Sequence, residues 1–119
     1  APRLRIMQQC CGSMFNLLGD MIEAGVEIIN PVQTSAANMD PWRLKDTYGN
    51  RVCFWGGGVE NQGVLRWGTA EECAAQAAER VRIFGAGGGF VFNTIHNIQA
   101  GTPPENIVAA FDTAWEGSV

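Results

Sequence analysis

The feature that most constrains this chain is a regular alternation. Short apolar runs are followed, four times over, by segments whose apolar residues recur every three or four positions. The first periodicity belongs to buried strands and the second to helices with one packed face. Leu4–Gln8 is the first expected strand. The segment from Ser13 to Ala24 follows, with Met14, Phe15, Leu18, Met21 and Ile22 on one helical face and Gly25 as its stop. Val26–Ile29 is the second strand. Asp40 and Pro41 then open a helix to Tyr48, as N-cap and first helical residue. Val52–Trp55 is the third strand. Thr69 and Glu72 form a capping-box pattern before a helix with Ala70, Cys73, Ala74, Ala77, Val81 and Phe84 on one side. Phe90–Phe92 is the fourth strand. Thr102 and Glu105 repeat the capping pattern before a last helix carrying Ile107, Val108, Phe111, Ala114 and Trp115.

The order βαβαβαβα predicts an α/β fold with a parallel sheet, because parallel neighbours need a crossover and a helix supplies it. The unit recurs as architecture and not as repeated sequence, which argues against a solenoid. The 119 residues suit one domain with its own core, and an apolar fraction of 46% excludes a disordered chain. No apolar run approaches the roughly 20 residues of a membrane span. The opening Ala1-Pro2-Arg3-Leu4-Arg5 has no apolar stretch of a secretory leader after it. A net charge of −4 with scattered arginines argues against a nucleic-acid partner. Cys10, Cys11, Cys53 and Cys73 include no C-x-x-C, and adjacent Cys10 and Cys11 are a poor disulfide pair, so reduced thiols and a cytoplasmic setting are expected.

The loops differ at the two ends of the strands. Those after helices are short, whereas those after strands are long and polar: 8–12, 30–39, 56–68 and 93–101. Chemistry in parallel α/β folds sits at the carboxyl ends of strands, so these four loops are expected to build any site. Gly85–Gly89 follows a helix, not a strand, and reads as a turn and not as a phosphate loop. Gly56-Gly57-Gly58 follows a strand but lacks the G-K-[ST] ending, so close backbone approach to a ligand, or a bulged strand end, is the better reading. His96, the single histidine, lies in the fourth loop, and Cys11 in the first. If the first and fourth strands approach, Gln9, Cys11 and His96 converge as a Cys/His set able to hold zinc with an open position. Gln33, Asn38, Glu60, Asn61 and Gln62 read as solvated loop residues or polar site groups, and Trp42, Trp55, Trp67 and Trp115 as core or helix-packing residues.

Four segments together resemble the uroporphyrinogen decarboxylase superfamily. They are Gln9-Cys10-Cys11-Gly12-Ser13 with Ala24 to Gln33; Leu44 to Gly49 with Val52 to Glu60; Gly68-Thr69-Ala70-Glu71-Glu72; and Gly87 to Phe90 with His96-Asn97-Ile98-Gln99 and Thr102 to Ile107. The resemblance implies half of a (β/α)8 barrel, the C-terminal half, so a fragment of a longer protein or a self-associated homodimer is expected. A chain not opening on Met agrees. The resemblance also implies the chemistry. The decarboxylase branch removes acetate carboxyls from a tetrapyrrole in porphyrin biosynthesis without cofactor, and His96 matches its loop histidine. Gln33, Asn30, Gly57, Glu60 and Asn97 are then substrate-binding candidates. The methyltransferase branch moves methyl groups between a corrinoid protein and a thiol or other acceptor, using zinc held by a His-x-Cys pair and a later Cys. Here Gln9 stands at the His position, Cys11 at the first Cys, and His96 at the later Cys. A non-catalytic, self-associating half-barrel is the third expectation.

Overall fold

The computed structural model describes residues 3–118; Ala1 and Pro2, the start of the stretch read for a leader, lie outside the described residues, as does Val119. The elements run β1 (Met7–Gln9), α1 (Phe15–Glu23), β2 (Ile28–Asn30), α2 (Pro41–Tyr48), β3 (Cys53–Trp55), α3 (Val64–Trp67), α4 (Ala70–Gly85), β4 (Phe90–Val91) and α5 (Pro104–Gly117). The sheet is wholly parallel in the order β1-β2-β3-β4. Consecutive parallel strands with helices between them are the arrangement of half a (β/α)8 barrel.

The expected strands exist but are shorter and shifted. β1 starts at Met7, not Leu4, and β4 ends at Val91, before Phe92. Apolar character marks where a strand is buried; pairing with a neighbour decides where its ladder begins. The unexpected α3 lies inside the loop 56–68, where four residues give too short a window for periodicity to show.

The helix starts follow their capping chemistry in two cases of three. Asp40 Oδ1 accepts from Arg43 N at 2.9 Å. Thr69 Oγ1 accepts from Glu72 N at 3.2 Å while Glu72 Oε2 accepts from Thr69 N at 2.8 Å, a complete capping box. The expected box at Thr102 does not form. Pro103 occupies the N-cap, and the Thr102 hydroxyl instead donates to Gln99 O at 2.8 Å. A hydroxyl beside two prolines is placed by their fixed φ, and here it points back into the loop.

One core lies between the sheet and α1 and α2. It contains Met14, Leu18, Ile29, Leu44, Phe54 and Phe84. A second, formed by Val59, Leu65, Cys73, Ala77 and Ala110, ties α3, α4 and α5 together. Aromatic rings connect the two: Phe54 to Phe84 at 5.1 Å, Phe84 to Phe90 at 5.3 Å, Phe90 to Phe92 at 6.3 Å and Phe92 to Phe111 at 5.3 Å. The face expected to bury α5 is only partly the one that does: Ile107 packs on the second core and Ala114 is buried, as expected. Asn106, Ala110 and Ala114 are buried, whereas Val108, Phe111 and Trp115 are exposed. Small side chains let α5 approach α4 closely, and the larger ones are left outside. The tryptophans also depart from the core reading. Trp42, Trp67 and Trp115 are exposed, with Arg82 over Trp42 and Arg66 over Trp67.

Buried Asn106 closes the second core. Its Nδ2 donates to Leu65 O at 3.0 Å and to Gly68 O at 2.9 Å, satisfying carbonyls at the end of α3. Asn106→Ala leaves both carbonyls without a donor and is expected to lower unfolding free energy by about 1–3 kcal/mol in urea titration. An unchanged midpoint would show that water replaces the amide.

Candidate functional site

The carboxyl ends of the strands carry a cavity of about 430 Å³. Gln9 comes to it from β1, Asn30 from β2, and Asn93, Thr94, His96 and Asn97 from the loop after β4. β1 and β4 are opposite edges of the sheet. Three inter-strand steps of about 4.8 Å set such edges roughly 14 Å apart in a flat sheet. The approach foreseen between the first and fourth strands is therefore made by the 93–98 loop, which arches back over the strand ends. It brings His96 Nδ1 to 3.8 Å from Cys11 Sγ.

The loop is held from below. A parallel bridge between Val59 and Thr94 continues the β3–β4 pairing past the strand ends. Gly58 N donates to Asn93 O at 2.8 Å and Ile95 N to Val59 O at 3.2 Å. The glycine run permits this. A Cβ on Gly58 would collide with the Phe92 ring and stand 2.8 Å from Asn93 O, and one on Gly57 would stand 2.8 Å from Val32 O. The close backbone approach expected to be to a ligand is instead to neighbouring protein chain, Val32 on one side and Phe92 and Asn93 on the other.

Asn61 then fixes His96. It is 1% exposed; its Oδ1 accepts from His96 N at 2.9 Å and its Nδ2 donates to Asn97 O at 2.9 Å. One amide side chain clamps both sides of the histidine's Cα. In sequence Asn61 is one polar residue among several in a loop; burial alone singles it out. On the β1 side, Gln33 Oε1 accepts from Gly12 N at 2.8 Å and so positions the turn after Cys11. Gly12 sits at φ +91°, where a side chain is disfavoured. Asn30 Nδ2 donates to Trp55 O at 3.1 Å, joining the ends of β2 and β3.

Of the candidate residues, Gln9, Cys11, Asn30, His96 and Asn97 come together, with Gln33 behind them. Gly57 is buried against Val32 and Glu60 accepts from Gln62 N at 3.2 Å; neither lines the cavity. All four cysteines are free. Burial raises the Cys53 and Cys73 thiols above their ordinary pKa, marking them as protonated packing residues. Lys45 is pushed down by burial while its Nζ donates to Phe84 O and Gly88 O, each at 2.7 Å, at the far end of the sheet. Exposed Cys11, beside a histidine, has a different setting.

A polar cavity at the carboxyl ends of parallel strands lies where (β/α)-barrel proteins carry their sites. The chain belongs to the uroporphyrinogen decarboxylase (URO-D) family, whose model matches residues 2–116. No curated protein matches the chain. No helix among the described residues is long and apolar enough to cross a membrane.

Asn61→Ala frees the loop that carries His96. Amide exchange at His96 and Asn97 is expected to quicken at least about tenfold, matching loss of a buried hydrogen-bond pair. Exchange at the wild-type rate would show that the Val59–Thr94 bridge alone holds the loop.

Proposed function

We propose that this chain supplies strand-end groups to a methyl-transfer active site, in which Cys11 and His96 act as one paired donor set. Their 3.8 Å separation is the observation that carries this reading. Two ligands on one tetrahedral zinc ion, with bonds of about 2.3 Å to sulfur and about 2.0 Å to nitrogen, stand about 3.5 Å apart. The pair therefore fits two positions of such an ion. The described residues hold no group of three His, Cys, Asp or Glu side chains suited to a metal; Cys11 and His96 would supply two ligands, and Gln9, which lines the cavity with His96, is the candidate for a third. Zinc, when bound there, would hold an acceptor thiol as its thiolate, the form that takes a methyl group from a corrinoid protein.

The chain's own residues prepare that site. Asn61 and the Thr94 hydroxyl, which donates to His96 O at 2.5 Å, set the imidazole's backbone. Gln33 sets the turn that presents Cys11. The remaining polar groups, Asn30, Asn93 and Asn97, are neutral and suit a substrate bound by hydrogen bonds.

Decarboxylation of tetrapyrrole acetate groups is the second reading, favoured by a histidine facing a cavity of hydrogen-bonding groups in a URO-D family chain. In it His96 donates to a substrate carboxylate or to the intermediate left after loss of carbon dioxide. The cavity lining includes no Lys or Arg to receive a polycarboxylate, which places this reading second.

Metal analysis of protein purified in zinc-supplemented buffer separates the two. The wild-type chain is expected to hold about one zinc ion, and Cys11→Ser and His96→Ala to lose most of it while keeping their far-ultraviolet dichroism. Metal-free wild-type protein would overturn the methyl-transfer reading. Porphyrinogen turnover that falls in His96→Ala would put decarboxylation in its place.

A further inference from the structure

The cavity wall contains an amide whose direction is fixed. Asn30 ends β2, and the alternation of a strand sets it on the face opposite buried Ile29, away from the helical layer. Its main chain is held by Cys10 N, which donates to Asn30 O at 2.9 Å. Its side chain is held by Trp55 O, which accepts from Asn30 Nδ2 at 3.1 Å. A carbonyl only accepts, so the NH2 end of the amide is the end turned to β3. Oδ1 is the end left over. It takes no hydrogen bond from the described residues, and it is not buried.

The other polar groups at this end differ. Asn61 spends both ends of its amide on the histidine loop. Thr94 is buried, and its hydroxyl is spent on His96 O. The side chains of Gln9, Asn93 and Asn97 make no hydrogen bond among the described residues, so each is able to turn either end of its amide to a ligand. Among the described residues the lining thus holds one fixed amide acceptor, with no Asp, Glu, Lys or Arg beside it. Pro31, Ile95 and Ile98 supply the apolar part of the same wall.

We propose that Asn30 Oδ1 selects the substrate of this cavity: a neutral molecule that offers it an N–H or O–H, with carboxamides and alcohols as the simplest members of the class. An analogue with an ether or ester oxygen at that position sets lone pair against lone pair. It takes the place of solvent at Oδ1 and returns no donor, and the cost of an acceptor left without a partner is the source of selectivity. The inference rests on this cavity being the substrate site of the methyl-transfer reading, and it does not depend on a metal ion there.

Two probes of nearly equal shape test it. N-Methylbenzamide carries one N–H, and methyl benzoate has an ester oxygen in its place. Both are titrated into the metal-free, isotopically labelled chain, and binding is read from amide shifts in two-dimensional NMR. The amide is expected to bind about tenfold more tightly than the ester, with shifts at the Asn30 side chain and at residues 93–98. In Asn30→Ala the preference is expected to fall to about twofold or less. Equal affinities in the wild-type chain, no binding of either probe, or shifts centred away from the strand ends would overturn the proposal. A preference that survives Asn30→Ala would also overturn it, by assigning the selection to another group. The wild-type comparison decides the matter by itself where the variant does not fold. Zinc content is a separate readout. A chain that prefers the amide but holds no zinc refutes methyl transfer alone, and a chain that holds zinc without the preference refutes the role of Asn30 alone.

Discussion

The strand-end layer depends on three consecutive residues without side chains. At Gly56, Gly57 and Gly58 the chain leaving β3 passes between Val32 on one side and Phe92 and Asn93 on the other, with no room for a Cβ at the second and third positions. Gly56 and Gly57 also hold φ values of +97° and +80°. That backbone path lets Gly58 and Val59 pair with the chain beyond β4, although the ladder of β4 itself is two residues long. Without it the loop bearing His96 has no floor, Asn61 has nothing to clamp, and the meeting with Cys11 is lost.

Placement of polar groups in this layer follows from the cost of burying them unpaired. Asn61 is buried because both ends of its amide are used, each on backbone of the histidine loop. Asn30 and Gln33 spend their amides on neighbouring strand ends and turns. The cavity is consequently walled by groups already oriented, which is how a neutral polar pocket gains direction without charge. Among the described residues, no Asp, Glu, Lys or Arg lines the cavity itself. At the opposite end of the sheet, Arg5 and then Arg3 hold the Glu27 carboxyl below its ordinary pKa, in an exposed cluster that salt screens.

Much of the fold was legible in the chain. Strand and helix order, the Asp40 and Thr69 caps, the Gly25 stop and the buried face of α1 follow from local chemistry, which acts over a few residues and leaves its pattern in the sequence. Family membership was legible through segments spread over most of the chain. The faces of α5 were legible only in part. Val108, Phe111 and Trp115 have the spacing of a core stripe, yet Asn106, Ala110 and Ala114 make the contact with α4. Apolar periodicity states that a helix has a face to cover; it does not say by what. For the site, Cys11 and His96 were legible as residues on strand-end loops, and their meeting only as a condition on the first and fourth strands approaching, which loop path decides.

By itself the sequence determined the alternation of elements, the parallel sheet that alternation requires, and the end of the sheet at which the polar loops collect. Those are consequences of periodicity and of the need for a crossover between parallel strands. Tertiary structure alone decided that Asn61 is the clamp and that Glu60 and Gly57 stay out of the cavity. It also decided that residues 85 positions apart, Cys11 and His96, face each other. The reason is that burial and long-range approach are properties of how elements pack, and a residue's neighbours in space are not its neighbours in the chain.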